Sequence, residues 1–292
     1  MNKSKFLRSA IVSKKPLLAQ ILLNPVVSFV YFVISRSARL LSVPVYKKAK
    51  TFWGQSMEGI ITDPNFSFIY LFGFSDEGLT QMIMKYLKTG MTFVDIGAHI
   101  GYETLLSSKI VGSEGKVFSF EPTPNTYNLL YKNTRELKNV VINNMAVWSK
   151  NSILKLFDFG LSYSGLNSFF KPRVSKKISQ SLKPESISVP AISIDDYAKL
   201  YSVKPDFIKI DAESAEYDII VGMTKTITDL KPIIVLEIGD VSEEFGKTKK
   251  CVKYLKNFGY KVLEYNAGII QEHIIRDSYL GVYDNLLFLP LK

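Results

Sequence analysis

Five carboxylates stand at or just beyond the ends of apolar runs, and their placement is the first sign of chemistry. They are Asp95 in "FVDIGAHIGYETLL", Glu121 in "VFSFEP", Asp211 and Glu213 in "IKIDAE", and Glu237 in "IIVLEIG". In open parallel sheets, ligands bind beyond the carboxyl ends of the strands. The first run leads into Gly97-Ala98-His99-Ile100-Gly101, whose glycines would let the backbone come close to a ligand. This loop lacks the middle glycine that meets a pyrophosphate, and it lacks the Gly-Lys-Ser/Thr of a phosphate loop. It therefore suits a ligand without phosphates. Glu121 follows 26 residues after Asp95, where a carboxylate accepts ribose hydroxyls in dinucleotide folds. An adenosine without phosphates beside an Asp-Gly loop points to S-adenosylmethionine. The plainer reading of Asp95 and Glu121 is strand-end capping.

The elements that must position these residues can be read from periodicity. "TFVDIGA", "KVFSFEP", "VVINNMAVW", "DFIKIDAE" and "PIIVLEIG" read as strands. The intervening segments 101–111, 124–137, from about Ala215, and 242–258 read as helices, and "YKVLEYN" and "YDNLLFLP" as closing strands. Continuous Val/Ile/Phe runs alternating with helices predict an α/β, Rossmann-like fold whose mostly parallel sheet is covered on both faces. Ser75 or Asp76 is placed to cap a helix over "EGLTQMIMKYLK". Residues 51–76 read as short strands and turns. Residues 151–192, rich in Ser, Lys, Pro and Gly, interrupt the alternation. They read as a long insertion, either substrate-carrying or solvated.

The segments "FVDIGAHIGYETLL", "VFSFEPTPNTYNLL", "INNMAVWS", "ISIDDY", "DFIKIDAESAEYDII" and "PIIVLEIG" resemble, in order, the FkbM-type family of class I S-adenosylmethionine-dependent methyltransferases. Glu77 also resembles a glutamate frequent in that family. The resemblance implies a seven-stranded sheet and methyl transfer to a hydroxyl of a sugar, glycan, glycolipid or secondary metabolite. It places Asp95, Gly97, Ala98, His99, Gly101 and Tyr102 around the methionine part of the cofactor, and Glu121 with Pro122 at the ribose. Asn144 and Met145 fall near the adenine, and Asp211 where the sulfonium meets the acceptor. The chain departs from the family pattern at His99 (usually Asn), at Ser214 (usually Gly) and at Gly239, where His is frequent.

Methyl transfer to oxygen requires alignment of acceptor and methyl, and removal of a proton from an alcohol. Asp211, Glu213 and Glu237 are the candidate catalytic residues. Asp211 is the preferred general base; the alternative is Asp211 and Glu237 holding Mg²⁺ to acidify the acceptor. No dense metal motif is present, so a metal-free site is expected. Glu213 and Glu216 also suit the N-terminus of the following helix. His99 reads either as a base or cofactor contact, or as a loop position where the backbone matters more than the ring. His273 reads as an ordinary surface or satisfied histidine, and Cys251 as a plain helix residue. The basic residues Lys171, Arg173, Lys176, Lys177 and Lys183 either cover an anionic acceptor or belong to a solvated loop.

The 292 residues divide into a basic, apolar extension (1–50) and a methyltransferase domain (51–292). The formal charge is +10, and no acidic residue precedes Glu58. Anionic partners follow from that balance, but the excess lies in the extension and no base-methylation signature follows the fourth strand, which disfavours nucleic acid. A non-catalytic cofactor-binding protein at a membrane is the remaining alternative. The uncharged run "PLLAQILLNPVVSFVYFVIS" has the length of a membrane span, but Asn24-Pro25 disfavours a continuous helix at its middle. Basic residues at both ends favour short helices on an anionic membrane surface. Plain packing on the domain is the other reading, and no signal-peptide cleavage site is evident. One cysteine excludes an intramolecular disulfide and fits a cytoplasmic protein, peripheral on the inner membrane face.

Overall fold

The structure, a computed structural model, describes residues 3–41, 43–170, 184–240, 247–282 and 284–291. The basic insert residues Lys171, Arg173, Lys176, Lys177 and Lys183 lie outside the described residues. Three helices open the chain: α1 (Lys3–Ser13), α2 (Leu17–Leu23) and α3 (Pro25–Leu41). The expected break at Asn24-Pro25 is present, because Pro25 has no N–H to continue the ladder of the preceding helix. A hairpin of β1 (Tyr46–Lys50) and β2 (Ser56–Ile60) follows, then α4 (Pro64–Phe72) and α5 (Glu77–Tyr86).

The central sheet has eight strands, one more than expected. Its parallel core is β3 (Thr92–Ile96), β4 (Lys116–Phe120), β5 (Val140–Asn143), β9 (Phe207–Ile210) and β10 (Ile233–Ile238). β13 (Asp284–Pro290) inserts antiparallel between β10 and β11 (Tyr260–Asn266). The extra strand, β12 (Ile269–Glu272), is an edge hairpin on β11. All four residues of β9 are buried, as befits a central strand covered on both faces. The chain enters β3 and leaves toward β4 on one side while β9 lies on the other, so the carboxyl ends of β3 and β9 form the switch point.

Three expectations are corrected. Residues 64–72 form a helix rather than strands and turns: Asp63 caps α4 by accepting from Phe66 N at 2.9 Å, and Pro64 occupies its first turn. "VVINNMAVW" is two strands, because β6 (Ala146–Val147) leaves the main sheet to pair with β8 (Glu185–Ile192). The insertion is itself ordered over its described parts. β7 (Ser152–Asp158) pairs antiparallel with β8 through seven residues, and a 3₁₀ turn spans Leu161–Leu166.

Asp76 caps α5 as expected, accepting from Leu79 N at 2.5 Å. Cys251 is buried in a helix, and buried His273 is satisfied by Glu264 and Tyr279. Removing the α4 cap by Asp63→Ala is expected to cost about 1 kcal/mol, read as a lower urea midpoint at unchanged slope. An unaltered midpoint would show that Phe66 N finds an equivalent acceptor.

Candidate functional site

The site grows from one buried cation. Lys209 is the third residue of β9 and is 1% exposed. Its ammonium lies 3.3 Å from Asp95 Oδ1 and 3.5 Å from Asp211 Oδ2, and it donates to Gly97 O at 2.9 Å. Burial alone would depress this amine; Asp95, Asp211 and Glu103 more than reverse that and hold it charged, well above its ordinary value. A charge buried in a strand must be paired, and this one ties the ends of β3 and β9 together.

Asp95 is therefore not a cavity residue. It is fully buried beneath the glycine loop, with Oδ2 accepting from Thr104 Oγ1 at 2.6 Å. Gly97 also has a different task from the expected one. A Cβ there would lie 1.7 Å from Asp211 O, so the absent side chain admits a neighbouring backbone. Gly101 starts helix α6 (Tyr102–Val111) at φ +94°, and a Cβ would press on Leu130. His99 takes φ +51°, a left-handed conformation that Asn, Asp and His tolerate better than other side chains. Its N–H donates to Glu121 Oε2 at 3.0 Å, while Thr123 N–H donates to Glu121 Oε1 at 2.9 Å. Glu121 is thus oriented by one backbone bond to each oxygen, with lone pairs left for a ligand. Burial raises its pKa, and His99 and the backbone bonds oppose that. The His99 ring hydrogen-bonds Ser164 at 2.7 Å (Nε2 to Oγ).

A cavity of about 130 Å³ opens over these strand ends. Ile96, Phe120, Met145 and Val147 give it an apolar wall, and Glu121 and Pro122 lie beside that wall. Asp211, Glu213 and Glu237 also line the cavity. A second cavity of about 340 Å³ continues across the loop, sharing Gly97, His99, Asp211 and Glu237 and reaching Ala98, Tyr102, Asp76 and Glu103. Asn144 is exposed and ties the β4 end, donating to Glu121 O at 2.9 Å; it does not line either cavity. Glu77 is also elsewhere, paired with Lys14 and Tyr265. The insertion, by contrast, walls the first cavity: Ser164, Asn167 and Phe169 face it, and Ser168 Oγ donates to Glu213 O at 2.9 Å.

The acidic cluster expected after the fourth strand is assembled. Carboxylate oxygens of Asp211, Glu213 and Glu237 lie within 4.8 Å of one another. Such a trio is closer to a metal-binding arrangement than the sequence spacing implied. Burial pushes Glu237 well above its ordinary value, with Asp211 and Glu213 adding to the rise. Glu216 turns away and accepts from Ala212 N and Ser214 N at 3.2 and 3.1 Å, holding the turn after β9. Ser214 stands at φ +79° in that turn, with Lys247 donating to its carbonyl at 2.8 Å. The family's usual glycine would sit there without strain, and the serine is held by its neighbours.

Lys209→Met would leave Asp95 and Asp211 uncompensated; a loss of about 3–5 kcal/mol in denaturant unfolding is expected, and a loss under 1 kcal/mol would contradict the assigned pairing. Glu103 gives a pH signature. Burial raises its carboxyl from 4.5 to about 7, with Lys209 opposing and Asp95 assisting. The fold thus holds the proton more tightly than the unfolded chain, so this contribution to stability is full below pH 4.5 and is lost as pH rises through about 7. Glu103→Gln is expected to flatten the fall in unfolding midpoint across about pH 5 to 8; an unchanged slope would refute this.

Comparison with known proteins agrees with the geometry. A family model described as the methyltransferase FkbM domain matches residues 95–262. The hexuronic acid methyltransferase AglP of Haloferax volcanii is 24% identical over 163 residues, which is 55% of this chain and 61% of that protein. The methyltransferase FkbM structure from Methylobacillus flagellatus overlays with TM-score 0.44 at 15% identity, covering 68% of this chain and 44% of that one. Aeropyrum pernix fibrillarin, solved with natively bound S-adenosyl-L-methionine, gives 0.41 at 12% identity over 70% of this chain and 68% of that one. The match runs from the aspartate beneath the glycine loop to the strands beyond the acidic cluster, and the chain belongs to the FkbM methyltransferase family.

Proposed function

We propose that the chain is an S-adenosylmethionine-dependent O-methyltransferase whose acceptor is a hydroxyl of a sugar or sugar-bearing molecule. The observation that carries the reading is the pairing of an oriented ribose-side carboxylate, Glu121, with a proton-accepting carboxylate, Glu237, across one cavity. The cofactor supplies a methyl group on a cationic sulfonium. The residues present fit it: Ile96, Phe120, Met145 and Val147 would flank the adenine, and Glu121 would accept from the ribose hydroxyls.

Among the carboxylates, Glu237 is the better base than Asp211. Asp211 is engaged by the Lys209 ammonium, whereas Glu237 Oε2 is buried without a hydrogen-bond partner. Burial and neighbouring anions raise Glu237, so its ionised form is a stronger proton acceptor than an ordinary carboxylate. Glu237 then removes the acceptor O–H proton as the oxygen takes the methyl group. The preference for a sugar acceptor rests on the name of the relative from Haloferax volcanii and on the family match.

A second reading has Asp211, Glu213 and Glu237 hold a divalent cation that lowers the acceptor pKa; the convergence of their oxygens within 4.8 Å favours it. The test is methyl-labelled cofactor with a panel of uronic-acid, neutral-sugar and glycolipid acceptors. Glu237→Gln is expected to lower kcat by about 10²–10⁴ with cofactor affinity retained. Glu121→Ala is expected to weaken cofactor binding by about ten- to a hundredfold in calorimetry. A chelator that abolishes turnover, with Mg²⁺ restoring it, would replace the base reading by the metal one. Label released from product by mild alkali would mark a methyl ester, and with it a carboxylate acceptor that needs no base.

A further inference from the structure

The N-terminal helices present the reverse of the polarity a helix normally shows in a water-soluble protein. On α3 the residues turned toward the protein are Tyr31, Ile34, Ser35 and Ala38, two of them small. Val26, Phe29, Val33, Arg36 and Leu40 recur at three- and four-residue spacing on another face, and all are exposed. α2 buries nothing. Leu18 and Leu22 are 76% and 78% exposed, Val26 73%, Phe29 68% and Phe32 59%. A contiguous apolar surface of this kind calls for a covering partner.

The extension is nevertheless anchored. Phe6 of α1 is fully buried against Phe52 and Phe74, with ring centroids 4.9 and 5.2 Å apart. Lys14 pairs with Glu77 at 2.7 Å. The layer is therefore held on the domain with its apolar face outward. No single helix among the described residues is long and apolar enough to cross a membrane, and α2 and α3 are bent by 117° at the Asn24-Pro25 break. That geometry suits two helices lying along a surface better than one passing through it.

Charge selects the occupant. The apolar face carries no charge from Pro16 to Ser35; exposed Lys15, Arg36 and Arg39 flank that stretch, and the chain has no acidic residue before Glu58. Apolar residues rimmed by lysine and arginine, without acidic ones, complement an anionic lipid surface. We propose that α2 and α3 form an in-plane docking face for a membrane rich in anionic lipid. α4 joins this layer to the cavity: it packs on α1 and α3, and its Asn65 lines the first cavity. The proposal stands whether or not the acceptor assignment holds.

The test is sedimentation of the full chain with phosphatidylcholine vesicles, with and without about 30% phosphatidylglycerol. The intact chain is expected to pellet with the anionic vesicles and to be released by salt. Phe29→Asp/Phe32→Asp, at exposed positions, is expected to weaken pelleting by at least about tenfold with circular dichroism unchanged. Arg36→Glu/Arg39→Glu is expected to remove the preference for phosphatidylglycerol while leaving the weak apolar component. Equal binding to both vesicle types by the intact chain, or no binding to either, would overturn the proposal. So would a dimer in solution that Phe29→Asp/Phe32→Asp dissociates, since the face would then belong to a second copy.

Discussion

The site depends on one buried ammonium. Lys209 is set in the middle of the sheet among Asp95, Asp211 and the Gly97 carbonyl, so the ends of β3 and β9 are joined by a charge that has no other place to go. One lysine serves two carboxylates directly, and Glu103 and Glu237 lie buried beside them. Glu103 and Glu237 are pushed upward, first by burial and then by neighbouring anions. A cationic ligand beside them would favour their ionised forms and so oppose both effects. Asp211, unlike Glu237, is held directly by the lysine, which is why the proposed base is Glu237.

The backbone around this charge is set against its local preferences. His99, Glu213 and Ser214 all take positive φ, at 51°, 47° and 79°. Left-handed conformation costs roughly 1–2 kcal/mol for a residue with a side chain. The surrounding bonds hold these residues there: Glu121 accepts from His99 N, Glu216 accepts from Ser214 N, and Lys247 donates to Ser214 O. Two of the three departures from the family pattern, His99 and Ser214, thus fall where the backbone demands most. His99 adds something Asn at that site would do differently, since its ring reaches Ser164 in the insertion and joins the ribose side of the site to its outer wall.

The parallel strands and the position of Glu121 at the end of the strand after the glycine loop were legible because each rests on local pattern: a continuous apolar run, then a turn. What was not legible depends on contacts between distant segments. Asp95 looked like a ligand contact because sequence shows that it precedes the loop, not that Lys209 lies 3.3 Å beneath it. The signal was available: a lysine within "FIKI" cannot face water in a strand buried on both sides, so it must have partners. Asp63-Pro64 likewise announced a capped helix at α4 and was outweighed by aromatic residues that read as strand. The β7–β8 hairpin escaped because the stretch between its strands is dominated by Ser, Lys and Pro, and its partner strand β6 is only two residues long.

The family match begins at Asp95, and this boundary has a physical meaning. The glycine loop, Glu121, Met145, Asp211 and Glu237 all lie inside it, and they line the two cavities at the strand ends. Asn65 lines the first cavity from outside it, on a helix capped by Asp63. Asp63 in turn receives a bond from Ser164, so the insertion wall is braced partly by residues upstream of the match. Asp76 lines the second cavity from the same upstream region. The shared strand ends carry the carboxylates, while α4 and the 3₁₀ turn supply a wall of the first cavity. Because α4 also packs on α1 and α3, that wall is joined directly to the apolar N-terminal layer.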